Sequence, residues 1–477
     1  MSEQKHKSTS QFTLLISNSV LGAFFFGYSI SYMNPALKTA DTQFDISEYP
    51  DQGDHDDYQT LINGLINAFP ALGAAAGAIL SGQIQRRFGL RQSFLLADLI
   101  GVVGFGFQLP LHLFTLLIGR LVMGFAVGMN SSLVPQYIKE FCPESLSGSF
   151  GAMFQMTINV GCLVALILGM FFNANGESLD YFRFVIVFPM LICASRLLFL
   201  AFAFKYNPPS YYLQRSNNRT AKTVIKTYYK QQFVDQIFEE LKQQIEAKKS
   251  EAQDSKQNSP SYSSRLKVGC ILQIIQQFSG INAVLIYSSG LFIKITGGDN
   301  DLKNWLNIIV GLVNLFFSIM AIPLLRNIGR RPLLFYGTLA CSLFLGLISL
   351  FSCFLPNEDD DQYQVTISAI MVIVFMFLYL AAFQLSLGPV VWIYDADVLD
   401  EKGMSIAVLC NWLGCALVAQ FFGIINSSLG MNYSFGIFFI FCSLGTVYIF
   451  YKVKETKGKN PKDIDQMFML GKVDYDD

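Results

Sequence analysis

The chain has 477 residues, of which 52% are hydrophobic and only 14% charged, with 44 Phe, a mean hydropathy of +0.40 and a formal net charge of −1. Soluble domains carry roughly 25% charged residues, so this composition excludes an ordinary water-facing surface, and the near-zero charge excludes the basic field of a nucleic-acid binder. Nine Cys without a CxxC pair and three scattered His (His6, His55, His112) leave no disulfide frame, no metal-ligand spacing and no cofactor set.

The leader MSEQKHKSTSQ is polar and short, which fits no cleavable signal peptide and makes residues 1–12 a polar N-terminus. Apolar runs long enough to cross about 30 Å of hydrocarbon, roughly 20 residues each, lie near 13–33, 60–81, 93–113, 115–137, 149–172 and 183–204. A polar stretch over 205–265 follows, then runs near 266–293, 303–325, 333–355, 366–393, 403–427 and 431–451, and a tail over 453–477. The expected fold is an all-α membrane protein. Twelve transmembrane helices form two six-helix bundles, 13–204 and 266–452, joined by a cytoplasmic helical segment. Within that segment, residues 219–249 place Val224, Ile225, Phe233, Ile237, Phe238, Leu241 and Ile245 at three-to-four spacing, which predicts amphipathic helices. Residues 250–264 read as a flexible linker.

Lys and Arg mark one side: Arg86, Arg87 and Arg91 after the second run, the linker, Arg326, Arg330 and Arg331 after the eighth, and the tail. The other side is acidic, from Asp41 to Asp57 and Glu358 to Asp361. The positive-inside bias therefore predicts both termini cytoplasmic. The sequons at Asn426 and Asn432 fall on the outer side but hug the membrane, which argues against glycosylation there. The halves repeat: RRFGLR (86–91) matches RNIGRR (326–331), and Glu140 after the fourth run matches Asp397 after the tenth. Parallel six-helix repeats belong to a transporter class that holds substrate at the midplane between them.

Polar groups inside the runs are mostly amides: Gln155, Gln273, Gln276, Gln277, Asn282, Asn314, Gln384 and Asn411. A lone amide in a span serves most simply as interhelical glue. A cluster over five spans suits a neutral polyhydroxylated ligand, because an amide donates and accepts hydrogen bonds without charge. Trp392 and Trp412 offer flat faces for a sugar ring or for packing. Gly280, Gly388 and Pro389 are expected to break the seventh and tenth spans, either to ease packing or to let them bend over a substrate.

These residues resemble the sugar porter family of the major facilitator superfamily, especially its facilitative hexose transporters. QQFSGINAVLIYS (276–288) is similar to the seventh-span signature and is the most specific match. PQYIKEFCP (135–143), GRLVMG (119–124), LGPVVW (387–392), NW (411–412) and VKETKG (453–458) also fit. The resemblance implies sugar contacts from Gln155, Gln276, Gln277, Asn282, Asn314, Gln384, Trp392 and Asn411. It implies a pocket lining or gate from Phe26, Ile158, Tyr287, Phe383 and Trp412. The cytoplasmic clamp of acids and Arg is incomplete: Arg86 and Arg326 stand at its usual acidic positions and Ser147 replaces an expected Arg. Glu140, Asp397, Arg87, Arg91, Arg330 and Arg331 remain to pair, or simply obey the charge bias. A weaker clamp implies a larger inward-open population.

In FFGYSISYMNP (25–35), Ser29 stands where proton-coupled relatives often carry Asp, and a serine cannot cycle a proton. This favours passive carriage of a hexose, D-glucose first, by rocker-switch alternating access. The alternative is a proton-coupled symporter acting through Asp98, an intramembrane acid otherwise expected to pair with a loop Arg. A sugar sensor is disfavoured by the short tail, and an enzyme by the absence of a nucleophile–base pair at membrane depth. The expected partners are a small neutral sugar and the lipid bilayer, with no nucleic acid and no obligate protein partner. The expected location is the plasma membrane.

Overall fold

The computed structural model describes residues 9–37, 55–110, 112–141, 144–172, 179–202, 206–254, 260–355, 366–459 and 461–470, with some side chains inside these helices left undescribed. The first half comprises α1 (Thr9–Ser31), α2 (His55–Phe88), α3 (Leu90–Gly106), α4 (Leu113–Phe141), α5 (Glu144–Gly169) and α6 (Leu179–Phe202). The linker forms α7 (Pro209–Gln214), α8 (Asn218–Tyr228) and α9 (Val234–Asp254). The second half holds α10 (Pro260–Phe278), α11 (Ile281–Ile295), α12 (Asn300–Asn327), α13 (Arg330–Ser352), α14 (Ile367–Leu385), α15 (Leu387–Val398), α16 (Glu401–Leu429) and α17 (Met431–Lys452), followed by α18 (Pro461–Leu470). Nine described stretches are long and apolar enough to cross a membrane; α1, α3 and α5 complete the two six-helix bundles, because the seventh and tenth spans are each two helices in line. This is the expected twelve-span architecture.

The amphipathic linker helices form as the spacing requires. Leu213, Ala221, Ile225, Val234, Ile237 and Phe238 make a small core of their own. Of the residues expected to form a linker, 250–254 complete α9 and 260–264 open α10, while 255–259 lie outside the described residues.

Within the first half, α2 and α4 approach backbone to backbone. Gly73 and Gly77 face Leu121 and Phe125, while Gly124 and Gly128 face Pro70 and Ala74, and a Cβ at any of the four would collide with main chain. Small residues are what let membrane helices touch where lipid offers no hydrophobic drive. The halves meet along α2 with α16 and along α5 with α12. The second-half residues Val408, Trp412, Cys415 and Ala416 of α16 join the core of the first half.

The RxxGRR-type turns share one device. After α6, Asn207 Oδ1 accepts from the Arg91 backbone N–H at 2.8 Å, at the start of α3. After α17, Glu455 accepts from the backbone N–H groups of Arg330 (2.9 Å) and Arg331 (3.1 Å), at the start of α13. Each half thus caps the N-terminus of its third helix with a residue that follows its sixth, satisfying donors the helix cannot satisfy itself. Arg215 of the linker donates to the carbonyls of Arg86 and Arg87 at 3.0 and 2.9 Å, closing the opposite end of α2.

Asp98 is buried in α3 and does pair, but not with a loop Arg as expected. Its partner is Arg196 of α6, also buried, whose Nε donates to both carboxylate oxygens at 2.8 Å and whose Nη2 bonds Asp98 Oδ1 and, at 2.7 Å, Asn130 Oδ1 of α4. Removing one partner of a buried pair leaves an uncompensated charge worth about 3–5 kcal/mol, whereas replacing both with apolar groups is often neutral. Arg196→Met should therefore melt well below wild type in detergent, and the double variant Asp98→Leu, Arg196→Met should recover most of the loss; a double variant no better than the single would show that the pair does more than hold α3, α4 and α6 together.

Candidate substrate pocket

The site is built where the two in-line helix pairs break. Gly280, between α10 and α11, has φ +87°, a left-handed conformation natural to glycine. A Cβ there would stand 2.6 Å from the Phe438 ring. The carbonyl of Ser279, left without an intrahelical donor, accepts from the Tyr379 hydroxyl at 2.9 Å. The tenth span breaks at Ser386 (φ −134°, ψ −92°), whose hydroxyl donates to Ala382 O at 2.6 Å. Gly388 and Pro389 were expected to make this break; instead both lie in the first turn of α15, where Pro fits without losing an intrahelical bond. The absent side chain of Gly388 leaves room for Gln384, since a Cβ would stand 3.1 Å from its Oε1.

Around these breaks the amides join into two hydrogen-bonded groups. Gln276 Nε2 donates to the carbonyls of Leu387 (2.8 Å) and Gly388 (3.2 Å). Asn411 Nδ2 donates to Gln273 Oε1 (2.6 Å) and Gln276 Oε1 (2.7 Å), and Asn411 Oδ1 accepts from Gln277 Nε2 at 3.0 Å. Gln277 Oε1 accepts from Asn282 Nδ2, which also reaches Cys415 Sγ at 3.2 Å. A second group crosses between the halves. Asn159 of α5 donates to Asn314 O (3.1 Å) and Gln384 Oε1 (3.2 Å), and Gln384 donates to Asn314 Oδ1 at 3.0 Å. Gln155 Nε2 lies 3.4 Å from Asn159 Oδ1.

Between the halves lies a small cavity lined by residues of both. Among the residues read from the sequence, Gln155, Gln276, Gln277, Asn282, Gln384, Trp392, Asn411, Phe26, Ile158, Phe383, Gly388 and Trp412 line it. Asn314 stands one bond behind, through Gln384. Ser29 and Pro389 are buried outside the lining. Tyr287 also lies away from it, donating to Ala419 O at 2.6 Å. Trp412 bridges the halves: its Nε1 donates to Ser131 Oγ of α4 at 3.3 Å and its ring sits 5.2 Å from that of Phe26.

Three residues escaped the sequence reading. Asn159 lines the pocket and ties the halves; its signal was its place one helical turn after Gln155. Asn34, just beyond α1, donates to Leu285 O (3.0 Å) and Ser288 Oγ (2.7 Å) and accepts from Ser289 N (3.3 Å), so it locks α11 to the first half on the side away from the basic turns. Arg120 is buried, with Nε on Ile66 O at 2.9 Å, its guanidinium over the Tyr32 ring and Nη1 without a partner; the GRLVMG element in which it stands was its signal.

On the basic side, the described partners of Arg87, Arg91, Arg330, Arg331 and Asp397 lie within their own halves. Arg87 stands over Phe88, and Arg91 donates to the carbonyls of Leu200 and Ala201. Arg330 Nε meets Asp397 Oδ2 at 3.2 Å, that oxygen also accepts from Thr456 at 2.8 Å, and Arg331 donates to Phe450 O. The side chain of Glu140 lies outside the described residues.

The chain is similar to known proteins along nearly its whole length. It is 30% identical to the rat protein named solute carrier family 2, facilitated glucose transporter member 3, over 97% of this chain and 94% of that one. It is 29% identical to hexose transporter 1 of Plasmodium vivax (strain Brazil I), over 92% and 89%. The solved structure of the major facilitator proton:xylose symporter XylE bound to 6-bromo-6-deoxy-D-glucose shares the fold, with a TM-score of 0.81 at 23% identity, covering 96% of this chain and 99% of that one. With the sugar (and other) transporter family model matching residues 15–468, the chain belongs to that family of multi-pass membrane transporters rather than to any enzyme family.

Proposed function

We propose that this transporter carries a neutral hexose, D-glucose first, by facilitated diffusion. The observation that carries the reading is the pocket itself: amides from both halves, already bonded to one another, converge beside two helix breaks and two Trp without a charged side chain in the lining. A hexose hydroxyl both donates and accepts, so it can replace an amide partner at little cost, whereas an ionic substrate would meet no counter-charge. The names borne by the rat and Plasmodium relatives support the same substrate class. The positive-inside bias supports cytoplasmic termini, and we assign the chain to the plasma membrane.

Passive carriage is supported by Ser29 in the first span and by Asp98, whose charge Arg196 already balances. Sugar entering from the acidic side would meet Gln276, Gln277, Asn282, Gln384, Trp392 and Asn411 beneath the breaks of the seventh and tenth spans, with Gln155 and Ile158 opposite. Closure of α11 and α15 over it, followed by rocking of the halves along the α2–α16 and α5–α12 seams, would release it on the basic side. The described bonds of the clamp residues stay within their own halves while Asn34 ties α11 to the first half on the acidic side, which supports a resting state that faces the basic side.

Labelled D-glucose uptake into proteoliposomes tests the reading: the expected result is equilibration to the same level with or without a pH gradient, and accumulation above equilibrium would overturn passive carriage. Gln276→Ala and Gln155→Ala should each raise KM about tenfold, equivalent to about 1.4 kcal/mol, with normal membrane insertion; unchanged KM in both would reject the pocket. Asn34→Ala should shift spin-label distances across the acidic side toward the open state, and distances identical to wild type would remove Asn34 from the gate.

A further inference from the structure

Three acids within the described span helices bear on coupling: Asp98 of α3, and Asp395 and Asp397 of α15. Asp98 is balanced by Arg196 and Asp397 by Arg330. Asp395, in α15, is different. It is fully buried, and among the described residues no Lys, Arg or His nitrogen comes within 4.0 Å of it. One oxygen, Oδ2, accepts from Gln273 Nε2 at 2.8 Å; the other, Oδ1, is buried with no hydrogen-bond partner among the described residues. The space beside Oδ1 is kept clear by Gly269 of α10, where a Cβ would stand 2.9 Å from it. An intramembrane carboxyl without a counter-ion is costly and marks a functional site unless something else explains it.

Its connections explain what it could serve. Gln273 is outside the pocket lining, yet its Oε1 accepts from Asn411 Nδ2, and Asn411 in turn holds Gln276 and Gln277. The carboxyl is therefore two side chains from the pocket by an unbroken line of hydrogen bonds. It also shares a helix face with the pocket, because Gly388, Trp392 and Asp395 follow at i, i+4 and i+7 along α15. The titratable groups beside it are Tyr394 of its own helix and Cys270 of α10; Cys410 of α16 stands by Cys270, and Tyr448 of α17 and Glu455 stand by Tyr394, with Glu455 engaged by the backbone of α13. Arg330, the partner of Asp397 two residues on, is already engaged there.

We propose that Asp395 is a proton-binding site linked to the sugar pocket through Gln273 and Asn411, so that binding a hexose and binding a proton alter one another's free energy. A proton added to the carboxylate at Oδ1 forms an O–H bond and leaves a neutral carboxyl, while Oδ2 keeps its bond to Gln273. A sugar that recruits Asn411 or Gln277 perturbs the amide that donates to Oδ2, and linkage makes the effect reciprocal. This rests on the hexose reading and deepens it. It requires no net proton transport, since a carrier can be proton-modulated and still run down the sugar gradient.

The test is D-glucose binding to the purified full chain in nanodiscs, read by tryptophan fluorescence between pH 5.5 and 8.5, together with proton uptake or release on sugar addition in weak buffer. The expected result is at least a threefold change of apparent Kd across that range, with a slope that matches the protons exchanged per sugar. Asp395→Asn, which can still accept from Gln273, should bind glucose with a flat profile and exchange no protons. Gln273→Leu, a residue outside the pocket lining, should bind glucose and lose the pH dependence while keeping the carboxyl. A pH-independent Kd in wild type, or a wild-type slope retained in either variant, would overturn the proposal. Failure of wild type to bind any hexose at any pH would instead overturn the hexose reading.

Discussion

An amide buried in a membrane protein must have its N–H and C=O groups answered, and it has no charge with which to attract a distant partner. Everything in the pocket follows from that constraint. Gln276 is fixed at one end because its Nε2 meets the carbonyls of Leu387 and Gly388, which can only accept. Its Oε1 must then face a donor, and Asn411 Nδ2 supplies it. Asn411 thereby turns its oxygen to Gln277, and Gln277 turns its own oxygen to Asn282. The orientation of one amide dictates the next, so the pattern of donors and acceptors presented to a ligand is set before the ligand arrives. Such pre-arrangement lowers the ordering cost that binding would otherwise bear.

The helix breaks make this row accessible at tolerable cost. A break in hydrocarbon exposes backbone groups unless something in the protein answers them. Tyr379 answers Ser279 O, and the Ser386 hydroxyl answers Ala382 O. Both breaks thus carry their own repair and stand beside the pocket rather than in lipid. The paired caps on α3 and α13 work on the same principle at the membrane surface. There the Asn207 and Glu455 side chains hold the basic turns to the end of each half, so that each six-helix bundle can move as a unit.

The twelve spans, the position of the linker helices and the amide set were legible from length, hydropathy and residue type, because those properties answer to the solvent around each helix. The six amides Gln155, Gln276, Gln277, Asn282, Gln384 and Asn411 line the space for the same reason: a polar group at membrane depth has few other places to be. The tenth-span break was misplaced because Gly388 and Pro389 look like breakers, yet the first turn of a helix tolerates both; the residue that bends the chain is Ser386, whose type announces nothing. Asp98 was recognisable as needing a partner, but its partner lies in another span, and no spacing rule brings residue 196 to residue 98. Asn34 and Asn159 were missed on the same ground. Their roles depend on what stands opposite them across the halves, and periodicity describes only one helix at a time.

The short helix α15 gathers these threads. It is twelve residues long, bounded by the break at Ser386 and by Leu399, where the backbone turns extended. At its start, Gly388 and Trp392 face the pocket; near its end, Asp397 is held by Arg330 and Thr456 at the basic side. Asp395 lies between them. A rigid helix of that length, about 18 Å at 1.5 Å per residue, cannot tilt toward a bound sugar without moving both acids. Asp397 can follow because Arg330, one of its partners, is a long side chain that can move with it. Asp395 cannot, since it is buried on all sides and bonded to Gln273 of a different helix. Closure of α15 must therefore either carry α10 along with it or stretch the bond at Asp395. In either case the carboxyl that lacks a counter-ion sits at the point where pocket movement is converted into a change of its own surroundings.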